Sequence, residues 1–278
     1  MKHLRSVQNH SASSRVKGPE PSLAKPNRVA VVTGGARGIG RSCAHALARA
    51  GYAIALVDLL VPEMERTAAE IREIGQPALV LPADVSDHPR ARAVAATVLA
   101  EFGRIDFLLN DAGRPMPKGI LEITEAEFDS TIAINLKGCF NYIQAIAPQM
   151  QAQGGGRIVS MSSLNAYSSG VTAAVSRFAY ASASASAKAG ILGMTRALAK
   201  ELGPEILVNA ICSGLIQTEL AKNVVIAERG AALARDGIAL RRIGKTDDVA
   251  QLVVFLATSE PCFITGQDFV VDGFQYHV

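Results

Sequence analysis

The run Thr33-Gly34-Gly35-Ala36-Arg37-Gly38-Ile39-Gly40 contains the residue types that hold a pyrophosphate. Glycines permit a tight turn, let the backbone approach phosphate oxygens and allow a helix to pack closely on a strand. A β-branched stretch precedes the run and a helical pattern follows it. Phosphates would therefore meet free backbone amides at the positive end of a helix. The spacing is G-x-x-x-G-x-G rather than G-x-G-x-x-G. Asp58 ends the next β-branched stretch. A carboxylate there accepts hydrogen bonds from both hydroxyls of an adenosine ribose and repels a 2′-phosphate. That points to NAD. Arg37 argues for NADP, since a base in the glycine run can pair with the extra phosphate, but the carboxylate lies where that phosphate would sit. Asp84, after the third strand, either bonds the adenine amine or caps the helix that begins near Asp87.

These residues need a scaffold, and the pattern around them supplies one. Short strands are expected at Val29–Thr33, Ala53–Asp58, Ala78–Leu81, Ile105–Asn110, Arg157–Met161, Ile206–Ile211 and Asp268–Val271. Helices are expected at Ile39–Ala50, Pro62–Ile74, 87–103, 125–152, 182–202 and 246–257. Strands alternating with helices predict an α/β fold: a single doubly wound parallel sheet, Rossmann-like, with helices on both faces. Its ligand crevice belongs at the carboxyl ends of the strands. No repeat or linker divides residues 28–278, so they read as one domain.

Composition narrows the classes further. The chain has 278 residues, 49% apolar and 19% charged, with a net charge of +3. Residues 1–27 carry Lys2, Arg5, Arg15, Lys17 and Lys25 against Glu20 alone, so the body is slightly acidic. That is no footprint for nucleic acid. The segment 1–27 reads as a disordered basic tail, with no apolar run of a secretory signal. No apolar stretch approaches the roughly 20 residues that span a bilayer, so no membrane partner is expected. Cys43, Cys139, Cys212 and Cys262 are scattered singly, which suits a reducing, cytoplasmic setting and no metal site.

Over residues 28–273 the chain resembles the short-chain dehydrogenase/reductase family. The resemblance rests on Thr33–Gly40, Ala83-Asp84-Val85, Asn110-Asp111-Ala112-Gly113, Ile134–Gly138, Gly156–Ser163, Lys188-Ala189-Gly190, Val208–Ile211 and Val271-Asp272-Gly273. It implies hydride transfer between a nicotinamide and a small-molecule carbonyl or secondary alcohol. It also implies catalytic roles for Asn135, Ser163 and Lys188. Cofactor contacts would come from Gly34, Arg37, Gly38, Ile39, Gly40, Asp58, Asp84, Val85, Asn110, Ala112, Gly113, Lys188, Gly214, Ile216 and Thr218. A homotetramer or homodimer built on the helices at 125–152 and 182–202 is implied as well. Three departures stand out. Asp111 replaces the family's Asn, and its plain reading is a solvated strand-end carboxylate. Ser213 precedes Gly214 where Pro is usual. Phe274 replaces a final Gly.

The family's tyrosine stands four residues before its lysine, because residues i and i+4 share a helix face. A phenol beside an ammonium becomes a usable acid near neutrality. Here Ser184 holds that place, and an aliphatic hydroxyl is far too weak an acid to substitute. Tyr180 lies eight residues before Lys188, about 12 Å along a continuous helix. It serves only if the extra Ser-Ala residues bulge or the helix starts after them. The alternatives are a vacant slot with Ser184 facing the cofactor, or Tyr167 reaching in from its loop. Residues 215–243 are expected to form the substrate lid, with Arg229, Arg235, Arg241 and Arg242 read chiefly as solvated surface. Two functions follow. One is an NAD-dependent oxidoreductase, with 3-oxoacyl reduction among the activities it admits. The alternative is an NAD-binding but catalytically impaired scaffold or partner subunit.

Overall fold

The computed structural model describes residues 26–116, 118–167, 182–218, 232 and 234–275; the basic tail, Tyr180, Arg229 and most of the expected lid lie outside the described residues. The strands are β1 (Val29–Thr33), β2 (Ala53–Asp58), β3 (Ala78–Pro82), β4 (Phe107–Asn110), β5 (Gly156–Ser163), β6 (Ile206–Ser213), β7 (Ile216–Gln217), β8 (Gly244–Lys245) and β9 (Asp268–Val271). The helices are α1 (Gly38–Arg49), α2 (Val61–Glu73), α3 (His88–Phe102), α4 (Glu125–Ile132), α5 (Gly138–Ala152), α6 (Ser182–Glu201) and α7 (Thr246–Thr258). Seven strands form one parallel sheet in the order β3-β2-β1-β4-β5-β6-β9, and β7 pairs with β8 apart from it.

The central strands are apolar throughout because both faces are covered. Along β1, Ala30 and Val32 face the core under α1, α2 and α7, with Leu47, Met64 and Val253. Val29 and Val31 face the other layer, with Val98, Tyr142 and Ile146 of α3 and α5. This two-sided burial explains why the strands read as continuous β-branched runs rather than alternating ones. Order reverses between β1 and β4, so the segments leaving these two strands diverge and open a crevice.

One expected element is corrected. The helix at 125–152 is broken by a π-helical turn over Ala133–Lys137, which separates α4 from α5. Asn135 sits in that turn, where its Nδ2 donates to Thr131 O at 3.0 Å. Widened turns of this kind are frequent at functional sites. Gly138 follows the turn directly, but the apolar spacing around it reads as one helix. Phe274 brings a different surprise, since it adopts φ 63°, a backbone region that suits the glycine it replaces.

At the amino-terminal edge of the sheet, Arg157 of β5 ties the end of α7 in place. Its guanidinium donates to Leu256 O at 2.9 Å and Ser259 O at 2.6 Å, and it also meets the exposed Glu260 carboxylate. A cation among the last carbonyls of a helix satisfies groups that have no partner within the helix. Arg157→Met is therefore expected to cost about 2–3 kcal/mol of stability. Glu260→Gln, which removes only the exposed partner, should cost under about 0.5 kcal/mol. Denaturant unfolding of the two variants checks the ranking.

Candidate functional site

The glycine run leaves β1 and turns into α1 with no room for a side chain at Gly34, Gly35 or Gly40. A Cβ on Gly34, whose φ is +74°, would stand 2.8 Å from Ala112 N, and one on Gly40 would stand 2.2 Å from Gly34 O. Thr33, at the end of β1, secures the facing segment: its Oγ1 accepts from Asp111 N and Ala112 N, each at 3.2 Å. Between these two segments lies a cleft of about 760 Å³ at the carboxyl edge of the sheet. Gly34, Arg37, Gly38, Ile39 and Asp58 line it from the β1 and β2 side. Asp84, Val85, Ala112, Gly113 and Thr218 complete the predicted set that reaches it. Leu59, Leu60, Arg114 and Ile134 also line it and were not foreseen. Leu59 is 65% exposed directly after Asp58, and an apolar pair at a strand's solvent end was the available signal.

Asp58 is held in place by backbone amides. Its carboxylate accepts from Ala36 N at 3.2 Å, Leu59 N at 2.7 Å and Leu60 N at 3.2 Å. Asp84 is not the cap of α3; Asp87 caps it, accepting from Arg90 N at 3.0 Å. Asp84 instead accepts from Ser86 N at 2.9 Å and Ser86 Oγ at 2.7 Å, which shapes the turn beside Val85. Asn141 of α5 fixes that turn from below by donating to Val85 O at 2.8 Å. Asn110 is buried, donates to Ser160 Oγ at 3.2 Å, and keeps Oδ1 without a protein partner. Gly214 packs against Asp272, 2.6 Å from where its Cβ would lie, and Ile216 is buried in β7. Neither lines the cleft.

At the end of β5 the lysine and the serines come together. Lys188 Nζ donates to Met161 O at 2.6 Å, and Ser162 Oγ donates back to Lys188 O at 2.9 Å. These reciprocal bonds fix α6 against β5. Ser163 points the other way along the strand, accepting from Asn165 N at 3.3 Å. Asn135 is 2% exposed and binds the segment after β4: Oδ1 accepts from Arg114 N and Nδ2 donates to Arg114 O, both at 3.0 Å.

Two expectations fail here. Tyr167 does not supply the missing phenol. Its hydroxyl donates to Asp268, which also accepts from Arg196 at 2.8 Å, and burial with that carboxylate pushes its pKa well up. Nor is Asp111 an open strand-end carboxylate. It is half-buried on the wall of the cleft beside Gly40, and desolvation raises its pKa to about 7, over the opposing pulls of Lys188 and Gly40. The tyrosine question also sharpens. Helix α6 is continuous from Ser182, so the extra Ser-Ala residues from 182 onward do not bulge. Ser184 consequently stands one turn before Lys188, half-buried on the same helix. Tyr180 lies outside the described residues.

The donor set fits a dinucleotide. The glycine cradle would be obstructed by a Cβ at Gly34, Gly35 or Gly40, a helix amino end faces the cleft, and Asp58 is positioned to accept from hydroxyls. Among the described residues no cluster of His, Cys, Asp or Glu could hold a metal ion, and no helix is long and apolar enough to cross a membrane.

Comparison with known proteins agrees with this class of nucleotide-binding oxidoreductase fold. The family model described as enoyl-(acyl carrier protein) reductase matches residues 34–273. An uncharacterised short-chain type dehydrogenase/reductase of Sinorhizobium fredii is 34% identical over 250 residues, covering 88% of this chain and 96% of its own. The 3-oxoacyl-[acyl-carrier-protein] reductase of Thermotoga maritima is 35% identical over 249 residues, covering 88% and 96%. The structure of a 7α-hydroxysteroid dehydrogenase complexed with NADH and 7-oxo glycochenodeoxycholic acid superposes with a TM-score of 0.82 at 27% identity, over 91% of this chain and 95% of that one. The chain belongs to the short-chain dehydrogenase/reductase family, and it is an oxidoreductase of that class.

Desolvation of Asp111 has a measurable consequence. A carboxyl whose folded pKa lies near 7 against an ordinary value of 3.8 binds its proton more tightly when folded. Its contribution to stability is thus fully present below about pH 4 and declines as pH rises to about 7. Asp111→Asn should match the wild type at pH 4 and exceed it by on the order of 3 kcal/mol at pH 8. Unfolding curves at the two pH values decide it; a constant difference would refute the desolvated carboxyl.

Proposed function

We propose that the protein is an NAD-dependent oxidoreductase that interconverts a small carbonyl compound and its secondary alcohol. The observation that carries this is the meeting, at one sheet edge, of the glycine cradle, Asp58 and the Lys188–Met161 lock. NAD, when bound, supplies or accepts the hydride. The chain's residues do the rest. Gly38 and Ile39 offer helix amides to the pyrophosphate, Gly34 and Gly40 let the two backbones close beneath it, and Arg37 borders it. Asp58 accepts from the adenosine ribose hydroxyls and disfavours a 2′-phosphate, and Leu59 covers one side of the adenine. Asp84, Val85, Ala112 and Gly113 form the opposite wall, with Thr218 toward the carboxamide, while Asn110, Gly214 and Ile216 support these segments from behind. Ser163 donates to the substrate oxygen and polarises it. Lys188 holds the nicotinamide ribose, and Asn135 anchors the turn that lets a water relay reach it. Tyr180 is the proton donor in this reading, and the named relatives support carbonyl reduction without choosing between acyl and steroid substrates.

A second reading is favoured by one observation. With α6 unbroken from Ser182, Ser184 occupies the face that precedes Lys188 by one turn. A site completed by Ser184 would bind NAD and lack a competent acid, leaving a scaffold or partner subunit.

Both readings expect NADH to bind at least about tenfold more tightly than NADPH, and Asp58→Ser to narrow that gap. Tighter NADPH binding by the wild type would reverse the cofactor assignment. The catalytic reading expects Tyr180→Phe to lower kcat/KM by about 100-fold or more with NADH affinity intact. Unchanged turnover removes Tyr180 from the mechanism. Absence of wild-type turnover across a panel of ketones, 3-oxoacyl thioesters and secondary alcohols, with NADH bound, selects the scaffold.

A further inference from the structure

Asp111 lines the cleft beside the glycine run. It leaves the end of β4 and turns toward the amino end of α1, where a Cβ on Gly40 would lie 2.8 Å from its Oδ2. The Gly40 amide beside it draws the carboxyl toward ionisation. An ionised carboxylate is stabilised there by the same helix end that attracts the phosphates of a dinucleotide. The resemblance noted from the sequence places a neutral Asn at this position, so the negative charge belongs to this chain.

The charged and titratable groups around it are few. Lys188 faces it from α6 and Asp58 from β2, and the Cys43 and Cys139 thiols face it from α1 and α5. Lys188 draws the carboxyl toward ionisation, but its ammonium is committed to Met161 O. Asp58 and burial draw it the other way. The two thiols are themselves pushed upward by burial, so they remain neutral and offer no counter-charge.

We infer that Asp111 sets cofactor affinity: its ionised form competes with the pyrophosphate for the amino end of α1, so dinucleotide binding favours the protonated carboxyl and weakens in alkaline solution. This rests on the reading that NAD lies along the glycine run. Bound phosphate adds a like charge and holds the proton on Asp111 more firmly, so binding above neutrality takes a proton from solvent. The free carboxyl titrates near pH 7, which puts the transition inside the usual working range.

Isothermal titration with NADH, from pH 5.5 to 9 at constant ionic strength, tests this on the full chain. The wild-type Kd should be flat below about pH 6 and rise by up to about tenfold per pH unit above 7. Asp111→Asn should be flat throughout and bind at least about tenfold more tightly at pH 8.5. Proton uptake approaching about one per NADH at pH 8, measured in two buffers of different ionisation enthalpy, needs no variant. ADP-ribose should follow NADH, and adenosine, which lacks phosphate, should show no pH dependence. A flat wild-type profile, an unchanged slope in Asp111→Asn, or an equal slope for adenosine overturns the assignment while leaving NAD binding in place. Absence of NADH binding at every pH overturns the cofactor reading itself.

Discussion

Two backbones meet at the middle of the sheet with nothing between them, and the rest of the site depends on that contact. The turn after β1 and the segment after β4 approach so closely that a single methyl at Gly34 would strike Ala112. Thr33 then ties the second segment to the first through two backbone amides. This contact falls where the strand order reverses, so it forms the floor of the crevice rather than a filled core. The position of α1, the reach of Asp111 and the placement of Asp58 are all measured from this floor.

A second fixed point lies on β5, the strand next to β4. Lys188 and Ser162 exchange hydrogen bonds across β5 and α6, each using the other's backbone carbonyl or that of a neighbour. The lysine is therefore located by the strand, not by the length of chain leading into its helix. Asn135 performs a comparable task from the π turn, where its amide is spent on Arg114 and Thr131. It thereby fixes the shape of the loop after β4.

The sheet and its helices were legible from residue types because burial on two faces leaves little freedom. Runs such as Ala53–Asp58 fit only a central parallel strand, and Val29–Thr33 and Asp268–Val271 begin and end where the pattern places them. The glycine run was legible for the same reason, since its spacing states a steric requirement. What escaped the sequence depends on partners distant along the chain. Nothing near Asp111 reports that the Gly40 amide lies beside its carboxyl, and nothing near Tyr167 reports Asp268. The π turn escaped because Ala133–Lys137 has an ordinary helical composition, so the interruption comes from tertiary contacts rather than propensity.

The clamp on Tyr167 bears on how this chain can vary. Asp268 holds both the tyrosine and Arg196 of α6, while Lys188 is held independently to Met161. Tyr167 and Lys188 are thus held by anchors that do not rely on each other for their positions. A change in the number of residues between them leaves the lysine in register on β5. Chain length there is a free variable of this scaffold, open to drift or to design without rebuilding the nucleotide half of the molecule.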